Sequence, residues 1–280
     1  MPELPEVETI VRGLRDRVID KKIINTELRY DKLFRDCSGK ILDQESRDKF
    51  IKAIENKRIT DLRRRGKYIL FQLEDINIIV HLRMTGKFSS DEDVLNDKHT
   101  HLVFWFEDGT FLLYNDIRKF GTFQTALCSE DILKTSMSKL GPEPLGEDFT
   151  LEYLTAELKN TKKNIKAFLL TQEKIAGIGN IYADEVLFFA KVSPKRLGNQ
   201  LSDEEIKSIH QGVIKKLRMG IEAGGASIRN YVNESGEKGN FQNLIKVYGK
   251  KGEKCQECET TFITETVAGR TSTWCPTCQK

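Results

Sequence analysis

The sequence predicts an α+β protein of two domains: an N-terminal β-sandwich or barrel with a flanking N-terminal helix, then a helical domain ending in a β-hairpin metal site. Three features carry that prediction. An apolar stripe opens the chain, β-rich runs fill residues 22–127, and helical patterns followed by paired cysteines occupy the remainder. At 280 residues the chain is near the size at which one hydrophobic core stops growing, so two domains are the expected division.

The first element is a helix because Val7, Ile10, Val11, Leu14 and Val18 recur at three- and four-residue spacing. The runs KYILFQL, NIIVHLRM, THLVFWF and TFLLYN then read as antiparallel strands, and EDGT at 107–110 is a hairpin turn between two of them. GPEPLG at 141–146 carries two prolines and reads as a linker. Beyond it, helices are expected at 151–172, 181–190 and 202–222, broken by GIGN, with Ser202 and Glu205 forming a capping box. Residues 224–243 are glycine-rich and polar and read as a mobile loop. The expected boundaries are 1–134 for the sandwich, 135–150 for the linker, 151–223 for the helices, 224–243 for the loop and 244–280 for the cysteine-bearing segment.

Charged residues make up 31% of the chain, above the usual ~25%, yet the net charge is only +3. Clustering is more informative than the total. Between 57 and 67 lie six basic residues (Lys57, Arg58, Arg63, Arg64, Arg65, Lys67) against one acid, Asp61, and a second basic stretch spans 246–254. Such clusters are footprints of a polyanion, with a solvated face as the alternative. No apolar run reaches the ~20 residues that span a bilayer, and no signal peptide is visible. Cys37 and Cys128 stand outside any pair, which argues for a reducing compartment, so a cytoplasmic protein is expected.

Two motifs carry chemistry. Cys255, Cys258, Cys275 and Cys278 form two CxxC pairs separated by 16 residues. Four soft sulfur ligands in close pairs suit a tetrahedral, closed Zn²⁺ site in a β-hairpin ribbon, with rubredoxin-like iron as the weaker reading. A closed site leaves no open coordination position, so the metal is structural. The residues at the ribbon tip, 269–271, include Arg270. The second motif is the N-terminus. Loss of Met1 turns Pro2 into a free secondary amine able to attack an aldehydic carbon and form an iminium. The positive end of the first helix favours its neutral form, and the adjacent Glu3 can move protons. The alternative is ordinary capping, since Pro and Glu are common at helix starts.

PELPEVET, GIGNIYADE and the four-cysteine ribbon, in this order in one chain, resemble the formamidopyrimidine-DNA glycosylase family over essentially the whole length. The relatives acting on oxidised pyrimidines typically begin PEGPE, so Leu4 favours the purine-directed branch. The resemblance implies a helix–two-turn–helix element in the C-terminal domain and a bifunctional glycosylase and lyase for oxidised purines. It implies that Pro2 attacks the anomeric carbon, Glu3 protonates the ring oxygen, Lys67 serves base release and β-elimination, and Arg270 serves δ-elimination and phosphate binding. Because a base cannot be reached inside a duplex, it must be flipped and its place filled. Met84, Arg118 and Phe120 match the family's void fillers. Asn180, at the start of a helix, matches a phosphate contact, as do His81, His99 and Tyr248. The 224–243 loop matches the segment that closes over the flipped base. The implied partner is damaged double-stranded DNA; nothing in the sequence signals an oligomer, so a monomer is expected.

This chain departs from the family pattern in small ways. Ile117 stands where proline is common, Arg83 replaces the usual glycine of HLGM, and Thr85 follows Met84. Two other readings stay open at this point. One is an enzyme for oxidised pyrimidines, and the other is a zinc-ribbon DNA-binding module without catalysis.

Overall fold

The computed structural model describes all residues except 37, 127–134, 136 and 228–235. Cys37 and Cys128 therefore lie outside the described residues. The chain divides into two compact units, one made of 1–139 with 224–239 and the other of 140–223 with 240–280.

The first unit opens with α1 (Leu4–Val18), whose apolar stripe is buried as expected. There follow β1 (Ile23–Leu28), β2 (Phe34–Arg35), α2 (Gln44–Ile54), β3 (Ile59–Arg65), β4 (Tyr68–Leu73), β5 (Asn77–His81), β6 (Lys87–Ser89), α3 (Glu92–Leu95), β7 (Thr100–Phe106), β8 (Phe111–Asn115) and β9 (Thr122–Ala126). They form two sheets, in the orders β1-β7-β8-β6 and β2-β9-β5-β4-β3. Pairing is antiparallel except between β2 and β9. Apolar residues from both sheets meet in one core with α1, including Phe71, Val80, Phe104, Leu112, Tyr114 and Phe123. Each such side chain contributes roughly 1.5–3 kcal/mol by leaving water. The unit is thus the expected sandwich with its flanking helix. The 107–110 hairpin is also present, with Gly109 at φ 81 and the Phe106 N–H donating to the Thr110 carbonyl at 2.9 Å.

Residues 22–127 are mostly strands, as expected, but α2 and the short α3, which the sequence pattern did not indicate, interrupt them. Asp43 caps α2 by accepting the Ser46 N–H at 2.8 Å. Only Phe50 and Ile54 of α2 are buried, so its helical stripe is too thin to show in a sequence of mostly charged residues.

In the second unit, α4 (Leu151–Lys159), α5 (Ile165–Leu170), α6 (Asn180–Ala190) and α7 (Asp203–Glu222) precede the ribbon strands β10 (Ile263–Val267) and β11 (Arg270–Trp274). The helix expected over 151–172 is two helices. The side-chain amide of Asn160 donates to the Ala156 carbonyl at 2.9 Å, and Asn164 restarts the chain as a cap that accepts the Ala167 N–H at 2.8 Å. Short polar side chains that compete for backbone groups end and begin helices in this way. The Ser202–Glu205 capping box forms as expected, Ser202 N–H to Glu205 Oε2 at 2.8 Å and Glu205 N–H to Ser202 Oγ at 3.2 Å. Among the described residues, no helix is long and apolar enough to cross a membrane.

Candidate nucleic-acid and catalytic site

In the first unit, Pro2 is buried immediately ahead of α1 and Glu3 is its N-cap. The Glu3 N–H donates to Glu6 Oε2 at 2.8 Å, and the other Glu6 oxygen accepts the Ala226 N–H at 2.8 Å. One carboxylate therefore fixes both the backbone beside Pro2 and the entry to the 224–239 segment. The neck of that segment is closed by glycines: a Cβ on Gly239 would lie 2.2 Å from the Gly225 carbonyl oxygen. Sequence reading gave Glu6 no role beyond the motif, since nothing local announces a partner 220 residues away.

Lys67 sits in the two-residue turn between β3 and β4, where Arg65 pairs with Tyr68 and Gly66 takes a left-handed φ of 56. Its side chain is buried. His81 ends β5 opposite Tyr68, their rings edge-to-face at 4.7 Å. Burial, with Arg83 and Lys67 adding positive charge nearby, pushes the His81 imidazole down to about 3. It is neutral at physiological pH. His81 Nδ1 accepts the Arg83 N–H at 3.0 Å, so the ring proton belongs on Nε2, as a donor.

Met84, Arg118 and Phe120 lie on two turns, after β5 and after β8. All three are exposed, Met84 at 39% and Phe120 at 51%. Ile117 between them is 59% exposed. The Arg118 guanidinium stacks over the Phe120 ring at 4.6 Å. Large side chains held in water on adjacent turns are costly unless a partner covers them. Arg83 has φ 54 and so bears the left-handed strain that a glycine would avoid. His99 just precedes β7, and its Nδ1 is buried with no hydrogen-bond partner among the described residues. The neighbouring His101, which sequence reading passed over, is the one whose ring engages this region, donating from Nε2 to the Asp116 carbonyl at 2.8 Å.

In the second unit, Asn180 begins α6 and donates from its amide to the Thr271 carbonyl at 2.9 Å, beside Arg270. Arg270 is exposed at the first position of β11, after a two-residue turn in which Ala268 and Gly269 are both left-handed (φ 55 and 68). That geometry matches the twist of the flanking strands. A buried ion pair underlies both residues. Lys166 Nζ donates to Asp184 Oδ1 at 2.6 Å and to the Thr271 carbonyl at 3.1 Å, and Asp184 Oδ2 accepts the Thr273 N–H at 3.2 Å. Tyr248 is half-buried. Its N–H and those of Lys246 and Val247 all donate to Glu185 Oε1, at 3.2, 2.9 and 2.8 Å.

The four cysteine sulfurs lie within 4.8 Å of one another, Cys255 to Cys278 at 3.9 Å and Cys258 to Cys275 at 3.4 Å. Tetrahedral zinc with Zn–S bonds of ~2.3 Å requires sulfurs roughly 3.8 Å apart, so the set fits one structural zinc.

The chain matches three family models: the formamidopyrimidine-DNA glycosylase N-terminal domain over 1–123, the H2TH domain of the same enzymes over 140–232, and the zinc finger found in FPG and IleRS over 252–280. It is 44% identical to the formamidopyrimidine-DNA glycosylase of Carboxydothermus hydrogenoformans over 100% of both chains. Its identity to that of Ligilactobacillus salivarius is 43%, over 100% of this chain and 99% of the relative. Among solved structures it resembles Lactococcus lactis Fpg in complex with abasic-site DNA (TM-score 0.89, 40% identity, 99% of each chain). It equally resembles MutM in complex with DNA containing carbocyclic 8-oxo-G (TM-score 0.89, 39% identity, 100% of each chain).

Proposed function

The chain belongs to the formamidopyrimidine-DNA glycosylase family, DNA glycosylases for oxidised purines with abasic-site lyase activity, and we propose that it performs this chemistry through Pro2. With Met1 removed, the Pro2 nitrogen attacks C1′ of the damaged nucleotide. Glu3 protonates the ring oxygen as the C1′–O bond opens, the base departs with a proton, and an iminium joins C1′ to Pro2. Loss of a C2′ proton from that iminium expels the 3′ phosphate, and a second elimination expels the 5′ phosphate. Water then releases Pro2. Lys67 serves base release and the first elimination, and Arg270 the second.

The observation that carries this reading is the pairing of a buried proline next to a buried glutamate at the chain start with family matches along the chain. DNA is held by His81, His99, Asn180 and Tyr248, while Met84, Arg118 and Phe120 fill the void left by the everted base. The sandwich of 1–134 carries the nucleophile, and 135–150 links it to the helices of 151–223. Residues 224–243 cap the lesion and 244–280 form the zinc finger. The protein acts as a monomer on nucleoid DNA in the bacterial cytoplasm.

Borohydride should trap a covalent adduct between the mature protein and an 8-oxoguanine duplex, and peptide mapping should place it on Pro2. Attachment at another residue, or efficient trapping with Met1 retained, overturns the assigned nucleophile. One solved relative, Lactococcus lactis Fpg, is described in complex with oxidised-pyrimidine DNA, which favours a wider substrate range as a second reading. Side-by-side cleavage of 8-oxoguanine and thymine-glycol duplexes decides its extent.

A further inference from the structure

Asp116 is fully buried, yet it is the most heavily coordinated side chain near the exposed turns. Its Oδ1 accepts from the Thr85 hydroxyl at 2.5 Å and from the Arg118 N–H at 3.2 Å. Its Oδ2 accepts from the Gly121 N–H at 2.8 Å and the Tyr114 hydroxyl at 3.3 Å. The Asp116 backbone is held as well, its N–H donating to the His99 carbonyl at 2.9 Å and its carbonyl accepting from His101 at 2.8 Å. Thr85 is the link across to the other turn. Besides binding Asp116, its hydroxyl oxygen accepts the Arg118 N–H at 3.2 Å.

The two turns can approach this closely because they meet at glycines. A Cβ on Gly86 would lie 2.2 Å from the Tyr114 hydroxyl oxygen, and one on Gly121 only 1.6 Å from it. Met84 is thus one residue from Thr85, and Arg118 and Phe120 lie between Asp116 and Gly121. Every exposed member of the group either binds the carboxylate hub itself, as the Arg118 N–H does, or is the chain neighbour of a residue that does.

We propose that Thr85 and Asp116 are positioning residues that lock the Met84 turn and the 117–120 turn into a single rigid wedge for insertion into damaged DNA. This deepens the reading given above and rests on it for the identity of the wedge. Opening a base stack costs a few kcal/mol, and a wedge whose parts move independently spends its insertion energy on ordering itself. A hub that fixes them beforehand removes that cost. Thr85 supplies the only side-chain hydroxyl joining the two turns among the described residues.

The test is a duplex with 8-oxoguanine and a neighbouring 2-aminopurine, whose fluorescence rises when the stack is opened. Wild type and Thr85→Ser, which keeps the hydroxyl, are expected to give the same rise. Thr85→Val, nearly isosteric but without it, should give less than half that rise. Its binding midpoint should stay within threefold and its melting temperature should remain close to wild type. Excision of 8-oxoguanine by Thr85→Val should fall at least tenfold, while strand cleavage at a preformed abasic site, which has no base to evert, should fall less than threefold. Asp116→Asn, which perturbs the same hub from the other side, should show the same split. A wild-type rise in Thr85→Val, or an equal loss of excision and abasic-site cleavage, overturns the proposal. Fluorescence needs no chemistry, so a wild-type protein that opens the stack but forms no adduct sinks the catalytic reading and leaves the wedge standing.

Discussion

Arg64 of β3 closes onto Glu8 of α1, its Nε donating to Oε2 at 2.8 Å, while its Nη1 donates to the Gly66 carbonyl at 3.2 Å. The pair joins the helix that starts beside Pro2 to the turn that carries Lys67. Burial alone would raise the Glu8 carboxyl, but Arg64 and Arg12 outweigh it and hold the group below its ordinary range. Arg64→Met should therefore lower stability by roughly 1–3 kcal/mol, the range for charge-assisted hydrogen bonds. Single-turnover base release should fall more than DNA affinity does, and Arg64→Lys should recover only part of both, because one ammonium cannot reproduce the fork. Equal loss of affinity and of base release would show that the pair has no positional role.

A second prediction concerns acid. His81 is held neutral in the fold down to about pH 3, by burial first and by Arg83 and Lys67 next. An unfolded histidine protonates near 6.5. Between those values the unfolded chain binds a proton that the folded chain does not, so stability falls as pH drops through this window, by up to ~1.4 kcal/mol per pH unit. His101 shifts in the same direction, again chiefly by burial. Urea unfolding of wild type and His81→Gln from pH 7.5 to 4.5 should show a shallower slope for the variant. Parallel slopes would mean that His81 is already charged in the fold.

The parts of the molecule legible in the sequence are those set by local spacing. The Val7–Val18 stripe, the Ser202–Glu205 box and the two CxxC pairs each need only neighbours within a turn or a knuckle. What was illegible depends on distant contacts or on thin signals. The buried face of α2 amounts to Phe50 and Ile54, and the break between α4 and α5 rests on two asparagine side chains. Thr85 and Asp116 are 31 positions apart, and nothing in either segment indicates that one binds the other. His99 and His101 lie on the same strand approach and look equivalent by type. Only the register of β7 against β8 decides which of the two rings reaches Asp116.

A third prediction follows from the ribbon's size. Its core consists of Val247, Cys255, Phe262 and Cys275 packed with Phe188, too little apolar surface to hold a β-hairpin without metal. Chelation should release one zinc per chain and expose Trp274, now 4% accessible, giving a red shift in tryptophan emission. DNA affinity should fall with it, because β11 carries Arg270. Unchanged emission after complete metal removal would mean that the ribbon folds on its own.

The buried pair Lys166–Asp184 gives the last prediction, and its sign is opposite to that of His81. Burial pushes the Asp184 carboxyl up to about 6, even against the pull of Lys166. Removing that pull with Lys166→Met should raise it further, because an unpaired buried carboxylate is costly and takes up a proton instead. The folded variant then retains a proton that an unfolded aspartate, with its value near 3.9, has already released. Its stability must therefore decrease as pH rises, until the carboxyl ionises at a cost of ~3–5 kcal/mol, typical of a broken buried pair. Thermal unfolding of wild type and Lys166→Met between pH 6 and 8.5 should show a gap that widens toward alkaline pH. In Lys166→Met/Asp184→Asn the variant's pH dependence should disappear, since the amide has no proton to lose. A gap that stays constant across this range would mean that Asp184 remains ionised without its lysine, and that the second unit tolerates the bare charge through the Thr273 N–H and solvent.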